Sequence, residues 1–497
     1  MLQIINFHRN IFFVAIIIYA ITAFYSTGYY HADEHYQIVE FAGAKLGTNA
    51  AHEQAWEFEA ASRQTIQPAI CYVVFAALKI INISDPYVKA LILRFITAIL
   101  ALGIIQFFVR TFLFSVKEKY QKVYIFLSYF LWFLPAINIR FSGETWSGLL
   151  FLLALAITQS KLYRKYFIVG AVLGLAFLFR FQTIFLSLGL VVFLLVAEKI
   201  SIKNLLRIVL AGGLIQLLGI AIDTWFYGKF VVTTWEYFNK QIVEDIASEF
   251  GTEPWYFYLK EMVTAPFWVF GVIIAVSFTF VLIKSPRNIL IWCIIPFVLI
   301  HSLVAHKEVR FLLPLVNLIP LLIVLGFQKM KFDLIFSVNS KALKFLTFAF
   351  ITIVFVLNFV ALTAFSLKPA GNGKMEISHF LATKYPEKPI RLIHCSWSSP
   401  YNPFESVPTK FYQRNNVEEI RILSLCQLND SLLSNSKDNL LILRQIELKN
   451  KRCIEVLKNF ELKEIARSIP DWIVVLNLFY GEMETDDVLI LYSLKHK

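Results

Sequence analysis

The stretch His31-Ala32-Asp33-Glu34-His35-Tyr36-Gln37 follows directly on an apolar segment, Ile11 to Tyr25, and its reading decides the fold. Neither a small-residue cleavage motif nor a stop follows the apolar segment, so it reads as a retained first membrane helix and not as a cleaved signal peptide. Two adjacent carboxylates then stand where the chain leaves the membrane. The remainder of the sequence reads as a multi-span scaffold whose polar clusters converge near them.

Composition supports a scaffold of that kind. Of 497 residues, 58% are hydrophobic and 16% charged, against about 45–50% apolar and about 25% charged in soluble domains. The mean hydropathy is +0.63. Apolar runs of spanning length recur from residue 11 to residue 366, which excludes a single soluble core and predicts a polytopic membrane protein. The net charge of +12, from 47 Lys and Arg against 35 Asp and Glu, collects in short loops. That is a topology signal and not a nucleic-acid footprint. Cys71, Cys293, Cys395, Cys426 and Cys453 form neither a metal spacing nor a dense disulfide framework.

Twelve apolar segments are predicted: 11–25, 66–83, 87–110, 122–137, 143–158, 163–179, 181–198, 205–226, 263–283, 288–305, 311–327 and 343–366. His8-Arg9 puts the N-terminus in the cytoplasm and Asp33 outside. Basic clusters at Lys117 to Lys119, Lys161 to Lys165, Lys203 to Arg207, Lys284 to Arg287, and Lys329 with Lys331 mark cytoplasmic loops. Twelve full crossings would return the C-terminus to the cytoplasm, whereas the charge pattern puts it outside. One segment therefore does not span, and 66–83 is expected to be a re-entrant or tilted half-helix, leaving about 11 transmembrane helices.

The first outer loop, 29–67, is expected to hold two interfacial amphipathic helices. Ile38, Val39, Ala42 and Leu46 recur at helical spacing up to Gly47, and a second helix runs from about Asn49 to Arg63. An amphipathic connector with acids facing water accounts for Glu53 and Glu59 but less well for Asp33-Glu34. The second outer loop, 227–261, is rich in aromatics, among them Trp235, Tyr237, Phe238, Trp255, Tyr256, Phe257 and Tyr258. An interfacial aromatic belt explains most of them, though not Asn239, Glu244 and Asp245. After Lys368 to Gly373 the composition changes. Strand-like runs at Ile390 to Ile393, Trp472 to Leu476 and Val488 to Tyr492, with helix-like Cys453 to Arg467, predict a small α/β domain over 374–497. The transmembrane domain would then occupy 1–368.

Ionisable groups near spanning helices are expensive and mark pathways or catalysis. Four clusters fall at predicted outer mouths: Asp33-Glu34, Arg140 with Glu144, Arg180 with Gln182, and His306-Lys307-Glu308-Val309-Arg310. Arg140 and Glu144 are spaced to share a helix face. Any one cluster could be a topological anchor or a loop-closing ion pair. Four on one side suit a lipid-linked phosphate, with carboxylates supplying a base and Arg and Lys holding phosphate oxygens. No Gly-rich phosphate loop, no Gly-x-Ser-x-Gly elbow and no His-Glu-x-x-His motif is present. Asp33, Glu34 and His306 could surround a divalent ion, but their spacing does not demand one, and no cofactor is required.

These motifs resemble those of the eukaryotic mannosyltransferases that extend lipid-linked oligosaccharides and glycosylphosphatidylinositol anchors, within the GT-C superfamily. His31-Ala32-Asp33-Glu34 with Tyr36-Gln37 is similar to the family's His-Pro-Asp-Glu signature, with Ala32 in place of proline. Trp56-Glu57 and Arg63 resemble later elements of the same loop, although Ser62 precedes Arg63 where the family has Arg before Ser. His306-Lys307-Glu308-x-Arg310-Phe311-Leu312-x-Pro314 resembles its second signature. Asp223, Tyr227-Gly228, Asn239 and Phe250-Gly251-Thr252-x-Pro254-Trp255 follow its middle loop, and His394-Cys395 with Ser399-Pro400-Tyr401 faintly echo a C-terminal element. The similarity covers about residues 10–325 well.

The resemblance implies a GT-C-like fold and an enzyme that uses a polyprenyl-phosphate sugar at the exoplasmic face. The expected reaction is inverting transfer of a hexose, mannose by the resemblance, to a lipid-linked glycan. Asp33 would be the general base, with Glu34 beside it. Lys307 and Arg310, with Arg140 or Arg180, would clamp the phosphate. Glu308, Glu144, Gln182, His306, Trp56, Arg63 and Asn239 would complete the substrate site. The expected location is a bacterial inner membrane with the site and C-terminal domain in the periplasm, or the ER membrane if the chain is eukaryotic. A polyprenyl-linked substrate transporter or flippase is the alternative, but it calls for inverted halves and a midplane site. A membrane-anchored sensor would need far fewer spans.

Overall fold

The computed structural model describes residues 2–160, 162, 165–332, 340–402, 407–480 and 485–497, with side chains throughout these except at 451–453 and 478–480. Lys161 and Arg164 of one expected basic loop lie outside the described residues, as does the side chain of Cys453.

Each of the twelve apolar segments carries helix. Among the described residues, five helices are long and apolar enough to cross a membrane: Leu2–Tyr25, Pro86–Ser115, Ile202–Tyr227, Val309–Met330 and Lys341–Leu367. Phe257–Thr264 and Trp268–Lys284 make a sixth if that bent pair is one span, and four shorter apolar helices accompany them. The protein is thus an integral membrane protein. Ile66–Ile80, the expected half-helix, has 15 residues. It rises about 22 Å, less than the ~30 Å of a hydrocarbon core. The sharp break lies elsewhere, a 119° bend between Thr264 and Trp268. There Pro266 cannot supply a helical N–H and Phe267 adopts φ 62°.

The chain forms two compact units that cut it differently from a boundary at 368. The first contains residues 1–22, 60–69 and 94–366; the second contains 23–59, 70–93 and 367–497.

In the first unit, helix spacing is set by glycines. A Cβ on Gly170 would meet the backbone of Ile208, one on Gly174 would meet Gly212, and one on Gly219 would meet Leu178. The helices Lys165–Phe179 and Ile202–Tyr227 therefore run parallel, which brings Lys165 to the end that carries Lys203 and Arg207. The backbone N–H of Lys117 donates to Gln328 Oε1 (2.7 Å), so that loop adjoins Lys329. At the opposite end, Gly143 lies against the Phe179 carbonyl and Gly148 against Pro314, and Trp146 stacks on Phe179 (5.1 Å).

The second unit is built round a five-stranded sheet ordered β2-β1-β3-β5-β4, with β1 Ile390–Cys395, β2 Val417–Ile422, β3 Asp438–Arg444, β4 Phe460–Arg467 and β5 Leu489–His496. The first three are parallel and β5 is antiparallel to both its neighbours. Leu440 to Leu443 is apolar throughout because both faces are covered. Ile377 and Leu381 of the helix Lys374–Lys384 pack with Leu440 and Ile442, while Leu441 and Leu443 pack with Leu425 and Phe460. Cys71, Cys293 and Cys395 are free and buried, whereas Cys426 is disulfide-bonded.

Four local expectations are corrected. Trp472 to Leu476 is helix, within Asp471–Tyr480, because Pro470 sits where it can open a helix and Asp471 favours the first turn. Cys453 to Arg467 is not one helix: the helix Lys451–Leu457 ends and β4 follows. The second loop helix from Asn49 to Arg63 reduces to the turns Ala51–Glu53 and Trp56–Glu59. The first loop helix does form, over 32–45, but Glu34 to Gly43 are buried on every side. It is therefore embedded in protein and does not present one face to lipid.

Candidate active site

In the first unit, members of three predicted clusters meet through Glu144. Ser142 caps the helix Gly143–Gln159 by accepting from the Thr145 N–H, which points Glu144 in the first turn toward the segment Val309–Leu318. Arg180 is left outside its helix, in extended backbone after Phe179. Its Nη2 lies 3.2 Å from Glu144 Oε1. Arg310 Nη1 approaches the same oxygen at 3.5 Å, and its Nε and Nη2 donate to both oxygens of Glu308 at 2.8 and 2.7 Å. Both guanidinium carbons stand 5.4 Å from the Phe311 ring. One carboxylate thus holds two buried cations on an aromatic plate. Arg310 takes the Glu308 carboxylate bidentately, the fork geometry in which a guanidinium also receives a phosphate.

The remaining members of these clusters take other positions. Arg140 is buried but precedes the Ser142 cap, so it does not share a helix face with Glu144; the cap interrupts the spacing. Lys307 spends its three protons on the carbonyls of Glu253 (2.7 Å), Val304 (2.5 Å) and Ala305 (3.4 Å), and desolvation lowers its pKa. With Glu253 N–H donating to Ala305 O (3.0 Å), it straps the middle loop to this mouth and does not join the cation pair. His306 bridges the Gly251 carbonyl (2.8 Å) and Glu308 (3.1 Å). Gln182 donates to Tyr237 Oη (3.1 Å), over whose ring Arg63 lies (5.4 Å). Asn239 donates to the exposed Glu244 (2.9 Å), in a local surface network.

Two residues here escaped the sequence reading. Asp223, noted there for its motif alone, is buried and accepts from Thr65 N (2.7 Å), Thr65 Oγ1 (2.6 Å) and Thr233 Oγ1 (2.6 Å). It fixes the start of Ile66–Ile80 against the end of Ile202–Tyr227. His301 is buried in an apolar helix with Nδ1 at the Phe297 carbonyl (2.7 Å). Its ring faces Phe297, Phe185, Tyr258 and Phe311. A lone intramembrane histidine was the available signal. Trp235, Phe238, Phe250, Trp255 and Tyr256 are exposed, whereas Tyr258 is fully buried.

The second unit carries the acidic loop. His31 is the helix N-cap, its Nδ1 accepting from Asp33 N–H (3.3 Å), so Ala32 occupies the first helical position, where proline is also favoured. Asp33, 20% exposed, has Oδ1 3.9 Å from His31 Nδ1. Its place in the first turn stabilises a carboxylate. Glu34 turns inward and accepts from Tyr30 N–H (2.8 Å). The two acids therefore differ: Asp33 keeps part of its side chain at the surface, whereas Glu34 is buried and bonds to the backbone. Glu57 accepts from Gln37 (2.9 Å), which seats the turn that Trp56 opens. Burial raises the pKa of Tyr29 and Tyr36. Among the described residues no group of three or more His, Cys, Asp or Glu is arranged to hold a metal ion.

The model of the Alg9-like mannosyltransferase family matches residues 10–401. GPI mannosyltransferase 3 of Drosophila melanogaster is 28% identical over 300 residues, 58% of this chain and 51% of that protein. GPI mannosyltransferase 3 of Trypanosoma brucei brucei is 32% identical over 143 residues, 27% of this chain and 24% of that protein. The chain spans about half the length, or less, of these relatives. Among solved structures, ArnT from Cupriavidus metallidurans bound to undecaprenyl phosphate aligns with a TM-score of 0.47 and 10% identity, over 96% of each chain.

Proposed function

The chain belongs to the Alg9-like mannosyltransferase family, and on that premise we propose that it is a glycosyltransferase of the GT-C type. It transfers a hexose, mannose, from a polyprenyl-phosphate sugar to a hydroxyl of a lipid-linked glycan, with inversion. The observation that carries this is Glu144 holding Arg180 and Arg310 together on Phe311. The acceptor oxygen bonds to the anomeric carbon as its proton passes to Asp33. The bond from that carbon to the phosphate oxygen breaks, and the leaving polyprenyl phosphate keeps the electron pair. Charge grows on the phosphate as it leaves, and a pair of guanidiniums such as Arg180 and Arg310 is suited to stabilise it. No covalent intermediate is needed for inversion.

The site and the C-terminal domain act at the exoplasmic face, of a bacterial inner membrane or of the ER. The bonded Cys426 supports an oxidising compartment for that domain. The test is transfer from labelled polyprenyl-phosphate mannose by purified protein. Asp33→Asn is expected to lower kcat about 10²–10⁴-fold, the usual worth of a positioned base, in a protein that still folds. Full activity in that variant would refute the assignment.

A further inference from the structure

Glu40 lies on the helix that presents Asp33, yet the chemistry above does not use it. Its side chain is 3% exposed. A buried carboxylate is tolerated only when its oxygens are satisfied, and here the donors come from two parts of the chain. His35 Nε2 donates to Oε1 (2.7 Å), and the Asn49 amide donates to Oε2. The third donor is the backbone N–H of Phe411 (3.0 Å), which is contributed by the C-terminal domain.

The turn Lys410–Tyr412 makes further contacts of this kind. Lys410 Nζ lies 3.1 Å from Glu53 Oε1, and Phe411 stacks on Phe75 at 5.2 Å and 8°. Tyr412 stacks on His35 at 5.4 Å, and Tyr29 also stacks on that ring at 4.8 Å. The turn is anchored behind by Thr409, whose N–H and Oγ1 donate to the Tyr401 carbonyl (2.8 and 2.7 Å). Between His35 and Glu40 the helix is a π-turn, Tyr36–Glu40, a conformation that tertiary contacts must sustain.

We propose that the C-terminal domain belongs to the catalytic apparatus through this turn, with Glu40, His35 and Tyr412 as positioning residues that fix the helix carrying Asp33. The proposal rests on Asp33 being the base. A buried acid with backbone, imidazole and amide donors has no equivalent alternative geometry, so the aim of the helix is set only while the turn is docked.

Full-length protein in nanodiscs is assayed with labelled polyprenyl-phosphate mannose as Glu40→Gln, Tyr412→Leu, Asp33→Asn and the Asp33→Asn/Glu40→Gln pair. Glu40→Gln and Tyr412→Leu are expected to lower kcat at least tenfold, with donor KM within twofold and thermal midpoint nearly unchanged. The double variant is expected to be no slower than Asp33→Asn, because both changes act on one proton transfer. A merely structural role would lower the midpoint and leave the kcat of the folded fraction intact, which overturns the proposal. So do wild-type kcat in both single variants, or full additivity in the pair. Should Glu40→Gln fail to fold, the kcat of Tyr412→Leu decides alone. If Asp33→Asn keeps full activity, the base assignment falls, a result distinct from failure of the positioning role.

Discussion

Replacing Glu144 with Gln tests the cation pair most directly. The side chain keeps its shape and loses its charge. Glu144 is 7% exposed and lies 3.2 and 3.5 Å from the Arg180 and Arg310 guanidiniums. At an effective dielectric of about 20, each contact is an attraction of about 5 kcal/mol before desolvation is subtracted. Arg180, Arg310, Glu144 and Glu308 are together formally neutral, and the variant leaves them with one positive charge. An added unit charge roughly 6 Å from a bound phosphate attracts it by about 3 kcal/mol at that dielectric, an upper bound that salt reduces. Donor KM should therefore fall, by about tenfold at moderate ionic strength. The guanidiniums also lose charge-assisted bonds that aim them, each worth about 1.5–3 kcal/mol, so kcat should fall about 10- to 100-fold. Polyprenyl phosphate, more anionic than the donor, should become a stronger product inhibitor. Initial rates against donor concentration, at two salt concentrations and with and without added polyprenyl phosphate, measure all three quantities. Unchanged kcat and KM, or a raised KM with intact kcat, would show that Glu144 does not organise a phosphate clamp.

Two further outcomes follow from packing and charge. In Gly148→Ala the new Cβ would lie 2.7 Å from Pro314 Cα and 2.9 Å from its carbonyl oxygen. The segment bearing Arg310 must then move, at a cost of about 1–3 kcal/mol for overpacking, and transfer activity should fall further than the thermal midpoint indicates. Gly103→Ala, with nothing within 4 Å of its Cβ, is the control and should keep wild-type activity. In the sheet domain, bonds from Arg391 and then Lys437 hold the Glu418 pKa below its ordinary 4.5. A lowered pKa stabilises the fold above about pH 4.5 and loses that contribution as pH falls through the lowered value. Glu418→Gln should flatten the acid limb of the midpoint-against-pH curve; an unchanged slope would refute the linkage.

The membrane scaffold was legible because run length and apolarity report burial in lipid directly, without knowledge of partners. Where runs were short, the same signal failed. Trp472 to Leu476 has the length and composition of a buried strand, and only Pro470 and Asp471 mark it as helix. β4 was masked by Glu461, Lys463 and Glu464, whose helix-forming residue types outweigh the alternation until β5 is present to pair with it. The first loop helix was legible as helix from its periodicity. Its burial was not, because nothing in an amphipathic period calls for polar residues such as Gln37 and Glu40 to be buried. In the structure each bonds to residues well removed in sequence, Glu57 and Phe411.

The candidate site shows where this limit comes from. Glu144, Arg180 and Arg310 stood out individually because charge is rare in an apolar background. Their pairing depends on how closely the helices approach, which is set by Gly143 against Phe179 and Gly148 against Pro314. Glycine contacts of this kind carry no charge or periodicity signal, so spacing alone grouped Glu144 with Arg140. Lys307 shows the converse. It stands three residues from Arg310, yet its ammonium is consumed by the carbonyls of Glu253, Val304 and Ala305. A lysine offers three rotatable donors and satisfies a ring of carbonyls, whereas arginine's planar fork matches paired carboxylate or phosphate oxygens. The chemistry of the two cations therefore separates their partners within one short motif: the lysine takes a ring of carbonyls and secures the loop, whereas the arginine pairs with the carboxylates of Glu308 and Glu144.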